Sequence, residues 1–299
     1  MKKHISSNLK DKAFPYLMCA PGLVLFTCFV LIPFIIGIYI SLFNWNGLGP
    51  MTFIGIKNYL FSLRDSVFWT SMKNTFLYAA IVTIAKNVIG LLLAILVSKE
   101  FVGRTAFRVS MFMPVTFSYV VIGVLWSWIY NPDFGLLNSL LSNIGCESLI
   151  RGWLSDPDIA IFSVMLVDIW KWSGFHMILY LAGIQGISKE YYEAASIDGA
   201  TKFKQFTRIT LPQLNATIVI NILLSITGAF TSNYDIVNIM TGGGPHHATE
   251  VALTYIISQG FKLNAFGKAC AMSVILFAFV LVFGVLQVKT MSRDDNYDN

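Results

Sequence analysis

The sequence predicts an all-α membrane protein with six transmembrane helices. Of its 299 residues, 56% are hydrophobic and 12% are charged, whereas a soluble domain carries roughly 25% charged residues. The apolar residues fall in long blocks and lack the period-two alternation of a membrane β-barrel. Because a backbone in lipid has to pair its polar groups within each segment, blocks of about 20 apolar residues predict helices. Six blocks qualify: 16–43, 74–98, 109–130, 159–187, 213–236 and 266–288.

The distribution of Lys and Arg between the connecting segments predicts the orientation. With the N-terminus inside, 13 basic residues fall in the tails and inner connections and four in the outer ones. By the positive-inside rule, both termini are expected in the cytoplasm. Residues 1–15 are then a cytoplasmic N-terminal tail, 16–288 a six-helix transmembrane domain and 289–299 a cytoplasmic C-terminal tail. Topology accounts for the net charge of +5, so no nucleic-acid partner is expected.

Motifs for catalysis, metal binding and nucleotide binding are missing from the sequence. The segment GFKLNAFGKA at 260–269 comes nearest to a phosphate-binding loop, but its glycine spacing is wrong and Ala269 stands where a hydroxyl is required. His246 and His247 are adjacent and have no array of Cys or carboxylates beside them, and the four cysteines lack metal-binding spacing. We therefore expect no catalytic residue and no metal site.

One polar segment, EYYEAASIDGATKFKQFTRITLPQL at 190–214, interrupts the apolar blocks. Ser188 and Thr201 are suitable N-caps, and Gly199 between them can end a helix in the left-handed conformation. The segment therefore predicts a cytoplasmic helical hairpin over 188–212. On physical grounds alone two explanations stay open: an amphipathic loop on the lipid headgroups, and a docking surface for another protein.

The same segment resembles the EAA loop in the permease subunits of binding-protein-dependent ABC importers. Its form E-A-A-x-x-D-G-A, followed by I-T-L-P, is that of the sugar branch, the maltose-transporter type. FIGIKNY at 53–59, GRTAFR at 103–108 and DIVNIMTGGGP at 235–245 also resemble the family, so the resemblance covers nearly the whole chain. It implies a type I ABC importer permease fold, in its compact six-span form, in the bacterial cytoplasmic membrane.

The resemblance also implies how the chain acts and with which partners. The chain would be a non-catalytic subunit that forms, with a second homologous permease, the pathway for a sugar or oligosaccharide delivered by an extracytoplasmic binding protein. A cytoplasmic ATPase dimer would bind ATP and Mg, so no cofactor is expected on this chain. The implied coupling contacts with the ATPase are Glu193, Ala194, Ala195, Asp198 and Gly199.

Ionisable residues inside spans are candidates for the substrate pathway. Asp168 and Lys171 lie three residues apart, so they share a helix face and are expected to neutralise each other. Lys86 is expected to face the interior and to pair with an acid such as Asp168 or one from the partner permease. Correspondence with the maltose-type family completes the predicted pathway: Val115, Tyr119, Asp168, Lys171, Trp172, Phe230 and Asn233. A structural ion pair and ordinary packing of the aromatic residues are the alternatives.

Two other functions stay open at this point. A permease of the same architecture could carry an amino acid or a polyamine, although the sugar-type hairpin motif argues against it. A secondary transporter would need an inverted repeat, which the sequence does not show. The outer segments 44–72 and 131–158 are rich in turn formers and tryptophan, and are expected either to contact the binding protein or to be ordinary loops.

Overall fold

The protein is almost entirely helical in the computed structural model, which describes residues 2–291, with side chains from 14 to 285 and at 289. The first predicted span begins in α1 (Lys2–Phe26), continues through a π-helical segment (Thr27–Leu31) and ends with α2 (Ile32–Ser41). The predicted N-terminal tail is therefore helical from Lys2. The most apolar window of this span is 0% buried within the chain, so its side chains need lipid or another protein as cover.

Contacts between Cα atoms divide the chain into two compact units. The first unit ends at Asp65 and also includes Ile256–Gly284. It contains the antiparallel strands β1 (Phe43–Asn44) and β2 (Thr52–Phe53), and α3 (Lys57–Arg64). Within this unit, the Lys268 ammonium lies 2.8 Å from the Asp65 carboxylate. The second unit, Ser66–Tyr255, contains every residue of the predicted functional site.

The second unit is built on α4 (Ser66–Ser98), which packs along α8 (Ala160–Gln185). Hydrophobic side chains of α4 and α8 form its core with those of α6 (Tyr119–Ile129) and α13 (Asn233–Met240). Tyr78, Val82 and Met165 are among the buried residues of this core. The remaining helices are α5 (Arg104–Thr116), α7 (Leu136–Asn143), α9 (Lys189–Ile197), α10 (Lys202–Gln205), α11 (Leu211–Gln213), α12 (Asn215–Thr231) and α14 (Ala252–Ile257). A 3₁₀ turn (Glu147–Leu149) and π-helical segments (Phe206–Thr210, Ser258–Lys262) complete the connections before α15 (Phe266–Met291).

All six predicted blocks are mainly helical, but one is bent within its length and another begins at a bend. The block 109–130 comprises α5 and α6, which meet at 102°, and Lys202–Gln213 meets α12 at 68°. Among the described residues, three helices are long and apolar enough to cross a membrane, or five if each bent pair is one span. The block 159–187 forms α8, which has 26 residues. It is not one of these three helices because its polar side chains make its mean hydropathy lower than theirs. The predicted C-terminal tail starts inside α15, and residues 292–299 lie outside the described chain.

Candidate functional site

The predicted hairpin forms, and capping residues define both of its helices. The Ser188 hydroxyl accepts a hydrogen bond from the Glu190 amide at 3.3 Å, and the Thr201 hydroxyl accepts one from the Lys204 amide at 3.3 Å. Gly199 has φ +73°, a conformation that glycine adopts without the steric cost a Cβ brings. The Ala200 amide then donates to the Ala195 carbonyl at 2.8 Å, which closes the end of α9.

Gln205 links the two arms of the hairpin. Its side chain is only 4% exposed, and its amide donates to the Ser196 hydroxyl at 2.9 Å and to the Tyr192 carbonyl at 3.4 Å. Lys202 donates to the remaining amide oxygen at 3.2 Å. A further bond of 2.9 Å joins the hydroxyls of Tyr192 and Thr210. These contacts fix the angle between the arms, so the hairpin is a shaped element.

The five predicted coupling residues lie together at the end of the first arm. Glu193, Ala194, Asp198 and Gly199 are exposed and Ala195 is half-buried. Large apolar side chains nearby are also uncovered: Ile197 is 87% exposed, Phe203 76% and Tyr191 55%. Phe206, in the same arm as Phe203, is half-buried. An uncovered apolar surface of this kind, rimmed by acids, is typical of a protein-binding site.

A buried ion pair lies between α4 and α8. The Lys86 ammonium is 2.8 Å from the Asp168 carboxylate, and the two side chains are 5% and 4% exposed. The Tyr119 hydroxyl donates to the other carboxylate oxygen at 3.1 Å. In turn, the Trp172 indole donates to the Tyr119 hydroxyl at 2.6 Å. The four side chains therefore form one hydrogen-bonded chain that joins α4, α6 and α8.

Lys171 does not have the role that its spacing predicted. Asp168 is paired with Lys86, whereas the Lys171 ammonium donates to the carbonyls of Pro114, Val115 and Phe117 at 3.1, 3.2 and 2.6 Å. Those carbonyls lie at the bend between α5 and α6, where the helical bonding pattern stops. A lysine has three donors. Two of them supply the bonds that the Val115 and Phe117 carbonyls lose at the bend, and the third shares the Pro114 carbonyl with the Phe117 amide, which donates to it at 3.3 Å. The expected neutralisation of Asp168 by Lys171 was wrong because a closer cation and a group of open carbonyls compete for the two residues.

A second polar network, which the sequence did not reveal, lies in the same unit between α4, α8 and α12. His176 Nδ1 is 2.7 Å from Asn221 Oδ1, and His176 Nε2 is 3.2 Å from the Ser225 hydroxyl. Asn87 donates to Ser225 at 2.9 Å and accepts from Tyr180 at 2.6 Å. His176 could have been singled out as an ionisable residue inside a span. No comparable signal marked the asparagines and the serine.

The two networks border a cleft of about 240 Å³ in the second unit. Of the residues singled out from the sequence, Tyr119, Trp172 and Lys86 line it. The ring of Phe175 stands at 89° to that of Trp172, with their centroids 5.6 Å apart. The structure adds to the lining Phe175, His176, Leu224, Ser225, Gly228 and Ser232. The cleft thus combines aromatic rings with hydroxyl groups and one neutralised cation.

The other predicted pathway residues do not line this cleft. Asp168 and Lys171 are buried beside it, and Val115 contributes a carbonyl to the Lys171 contacts. Phe230 packs against Phe76, with ring centroids 5.5 Å apart. Asn233 is 1% exposed, and both polar atoms of its side chain lack a hydrogen-bond partner. A place for these residues on a larger pathway stays a prediction.

Among the described residues, no group of three or more His, Cys, Asp and Glu side chains could hold a metal ion. His247 Nδ1 is instead 2.9 Å from the carboxylate of Glu250, which is 6% exposed. The Asn74 amide donates to the carbonyls of Ala248 and Glu250 at 3.0 Å, which ties this loop to α4. His247 therefore lies in a loop that is anchored to α4.

Comparisons with known proteins identify the class to which this fold and hairpin belong. Residues 86–289 match the family model described as "binding-protein-dependent transport system inner membrane component". The chain is therefore a member of this family, and the predicted importer permease is confirmed.

Individual relatives are similar in sequence over more than nine tenths of the chain. The chain is 39% identical over 283 residues to the probable ABC transporter permease protein YurN of Bacillus subtilis, covering 94% of this chain and 96% of that one. It is 31% identical to the trehalose/maltose transport system permease protein MalF of Thermococcus litoralis, covering 97% and 98%. A solved bacterial ABC transporter that imports the acidic polysaccharide alginate has the same fold, with a TM-score of 0.84 at 24% identity over 97% of this chain and 99% of that one.

Proposed function

We propose that the chain is a permease subunit that carries a sugar or oligosaccharide across the bacterial cytoplasmic membrane. A second homologous permease would complete the pathway, and an extracytoplasmic binding protein would deliver the sugar. The observation that carries the proposal is the cleft lined by Tyr119, Trp172 and Phe175. Flat aromatic rings suit the apolar C–H faces of a sugar, and a few placed polar groups fix its orientation. The names of relatives such as the trehalose/maltose permease support the same substrate class.

The hydrogen bonds around the cleft suggest which residues contact the sugar and which position the contacting residues. The Tyr119 hydroxyl donates to Asp168 and accepts from Trp172, so both rings are held in place before a sugar arrives. Rigid placement lowers the entropic cost of binding. Asp168 and Lys86 cancel each other's charge, and the Ser225 and Ser232 hydroxyls also border the cleft. We assign sugar contact to the rings and hydroxyls, and positioning to the ion pair.

Replacement of Trp172 tests the assignment of the cleft. In the assembled transporter, Trp172→Ala should raise the sugar concentration for half-maximal uptake at least tenfold, whereas Trp172→Phe, which keeps a ring, should recover part of the loss. Trp128→Ala is the matched control, because Trp128 is 69% exposed and outside the cleft. Unchanged sugar uptake in Trp172→Ala would show that the sugar does not bind at this cleft. Uptake of an amino acid or a polyamine by the wild type, without sugar uptake, would contradict the substrate class.

We further propose that the hairpin couples transport to a cytoplasmic ATPase, with Glu193, Ala194, Ala195, Asp198 and Gly199 as contacts. ATP and Mg would be held by the ATPase, so this chain is proposed to be non-catalytic. The support is the uncovered surface on a hairpin whose shape Gln205 fixes. A rigid hairpin can transmit a displacement of the ATPase to the membrane helices. A loop that only lies on lipid headgroups does not require hydrogen bonds between its two arms.

Charge reversal within the hairpin tests the coupling. Glu193→Lys should abolish sugar-stimulated ATP hydrolysis while protein level and permease assembly persist, because the substitution is at an exposed position. Glu190→Lys is the control, since it makes the same charge change on the same helix outside the proposed contacts. Gly199→Pro should act like Glu193→Lys, because proline cannot adopt φ +73°. If both Glu193→Lys and Gly199→Pro retain sugar-stimulated ATP hydrolysis, the hairpin does not couple transport to the ATPase.

A further inference from the structure

The short helix α7 has an uncovered apolar face that the transport mechanism does not use. At about 100° per residue, Leu136, Leu140 and Ile144 fall on one side of the helix axis. They are 58%, 51% and 69% exposed. These three residues form the leucine face. Leu137 and Leu141 are half-buried, with Leu137 packed against the core of the unit, and the side opposite the leucine face carries Asn138 and Ser142. Residues 134–146 contain no charged side chain.

The polar side of α7 is fixed to the protein, which sets the direction of the leucine face. Asn138 is 6% exposed, and its amide donates to the Arg151 carbonyl at 3.0 Å and to the Pro132 carbonyl at 3.3 Å. Its carbonyl oxygen accepts from the Trp153 indole at 2.8 Å. The leucine face therefore points away from the rest of its unit.

The position of α7 relative to the bent span α5–α6 sets its depth in the membrane. Gly135, the N-cap of α7, packs so closely on the end of α6 that a Cβ there would lie 2.6 Å from the Ile129 carbonyl oxygen. Asn131 turns the chain at this point, because its side chain accepts from the Asp133 amide at 2.9 Å. The last turn of α6 carries Trp128, which is 69% exposed. Exposed tryptophan is typical of the membrane–water interface, so α7 starts at that level.

We infer that α7 lies in the outer headgroup region of the bilayer, with its leucine face buried in lipid. Lipid is the occupant that the chemistry favours, because the three exposed side chains are aliphatic and residues 134–146 contain no charge, and burial of apolar area is what binds such a helix to the interface. The face is also continuous with the membrane-spanning helix α6 through Gly135. An uncharged amphipathic helix binds through its apolar area and not through attraction to anionic lipids. The leucine face is then unavailable to the binding protein, contact with which was one of the two expectations for residues 131–158.

Fluorescence quenching of the assembled transporter in lipid nanodiscs tests this inference. All four native cysteines are first replaced by serine, and a bimane probe is attached at Leu140→Cys or at Ser142→Cys. Ser142 is exposed on the polar side of the same helix and is the matched control. Acyl chains brominated in a zwitterionic lipid should quench the Leu140→Cys probe at least threefold more than the Ser142→Cys probe. Aqueous iodide should show the reverse order.

Each other outcome overturns the lipid contact in a distinguishable way. Equal access of iodide to both probes, followed by protection of the Leu140→Cys probe when the binding protein is added, would make the leucine face a docking surface. If neither quencher reaches the Leu140→Cys probe, the face is covered by a protein subunit of the complex. The readout does not depend on the sugar, so failure of the proposed substrate would leave this test intact.

Discussion

The buried pair of Lys86 and Asp168 gives the most quantitative prediction. Both side chains are almost fully enclosed, and their charged atoms are 2.8 Å apart. Asp168→Asn removes the negative charge but keeps an oxygen that can accept from Tyr119. Lys86 would then be a buried cation without its partner, and breaking such a pair from one side costs about 3–5 kcal/mol. Lys86→Met should cost a similar amount, because it leaves the Asp168 carboxylate enclosed with the Tyr119 hydroxyl as its remaining partner.

The double variant Lys86→Met with Asp168→Asn separates charge pairing from packing. It removes both charges together, so neither an unpaired cation nor an unpaired anion is left buried. We therefore expect the double variant to be more stable than either single variant, with a coupling energy of about 2 kcal/mol or more, whereas independent sites add within about 0.5 kcal/mol.

Thermal unfolding of the purified complex, followed by size-exclusion chromatography, measures these differences. All four forms should be heated at one rate, because unfolding of a membrane complex is governed by kinetics as well as by equilibrium. The reasoning fails if both single variants unfold at the wild-type temperature, or if the double variant loses the sum of the two single losses. Either result would mean that water or another subunit solvates one of the charges.

Three further predictions concern buried backbone and side-chain groups. Lys171→Met should lower the unfolding temperature and uptake together, because it leaves the Val115 and Phe117 carbonyls without the ammonium donor at a cost of about 1–3 kcal/mol each, whereas the Pro114 carbonyl keeps its bond from the Phe117 amide; Lys171→Arg, which keeps the donors, should recover part of the loss. Gly174→Ala should destabilise by about 1–3 kcal/mol, since its Cβ would overlap the Met111 carbonyl; Gly228→Ala, with no atom within 4 Å of the new Cβ, is the stability control. Asn233→Leu should raise the unfolding temperature, because the buried amide has no partner; a lower temperature would show that a subunit or water bonds to it.

The helical architecture could be predicted because its signals are local. Long apolar blocks specify helices wherever they occur in lipid, and Ser188, Gly199 and Thr201 act on neighbouring residues. Both capping bonds and the positive φ of the hairpin were therefore predictable. The bend between α5 and α6 was not, although Phe117 and Ser118 are extended there. Pro114 in the last turn of α5 and the N-cap Ser118, whose hydroxyl accepts from the Val121 amide at 3.3 Å, mark where one helix ends and the next begins, but they do not specify the angle between the two.

The candidate site was predictable only in part. Tyr119, Trp172 and Lys86 line one cleft; the first two were selected by correspondence with the maltose-type family, and Lys86 was selected as an ionisable residue in a span and pairs with Asp168, the acid named for it. Spacing along α8 suggested that Asp168 pairs with Lys171, whereas the pairing depends on which groups α4 and α5 bring to each side of α8. Asn87, His176, Asn221 and Ser225 escaped selection for the same reason. Hydrogen-bond and ion-pair partners on different helices depend on how the helices pack, and residue spacing in a single sequence does not reveal that packing.

The carbonyl contacts of Lys171 have a consequence for how the chain enters the membrane. The bent segment of α5 and α6 leaves the ribosome before α8, so the carbonyls at Pro114, Val115 and Phe117 have no lysine to bond when they first meet lipid. Unpaired backbone groups in hydrocarbon cost several kcal/mol each. We therefore expect the segment to stay a straight helix, or to lie beside water in the insertion machinery or at the bilayer surface, until α8 arrives and Lys171 can bond these carbonyls. On this reasoning, the arrival of α8 is the step that sets the bend.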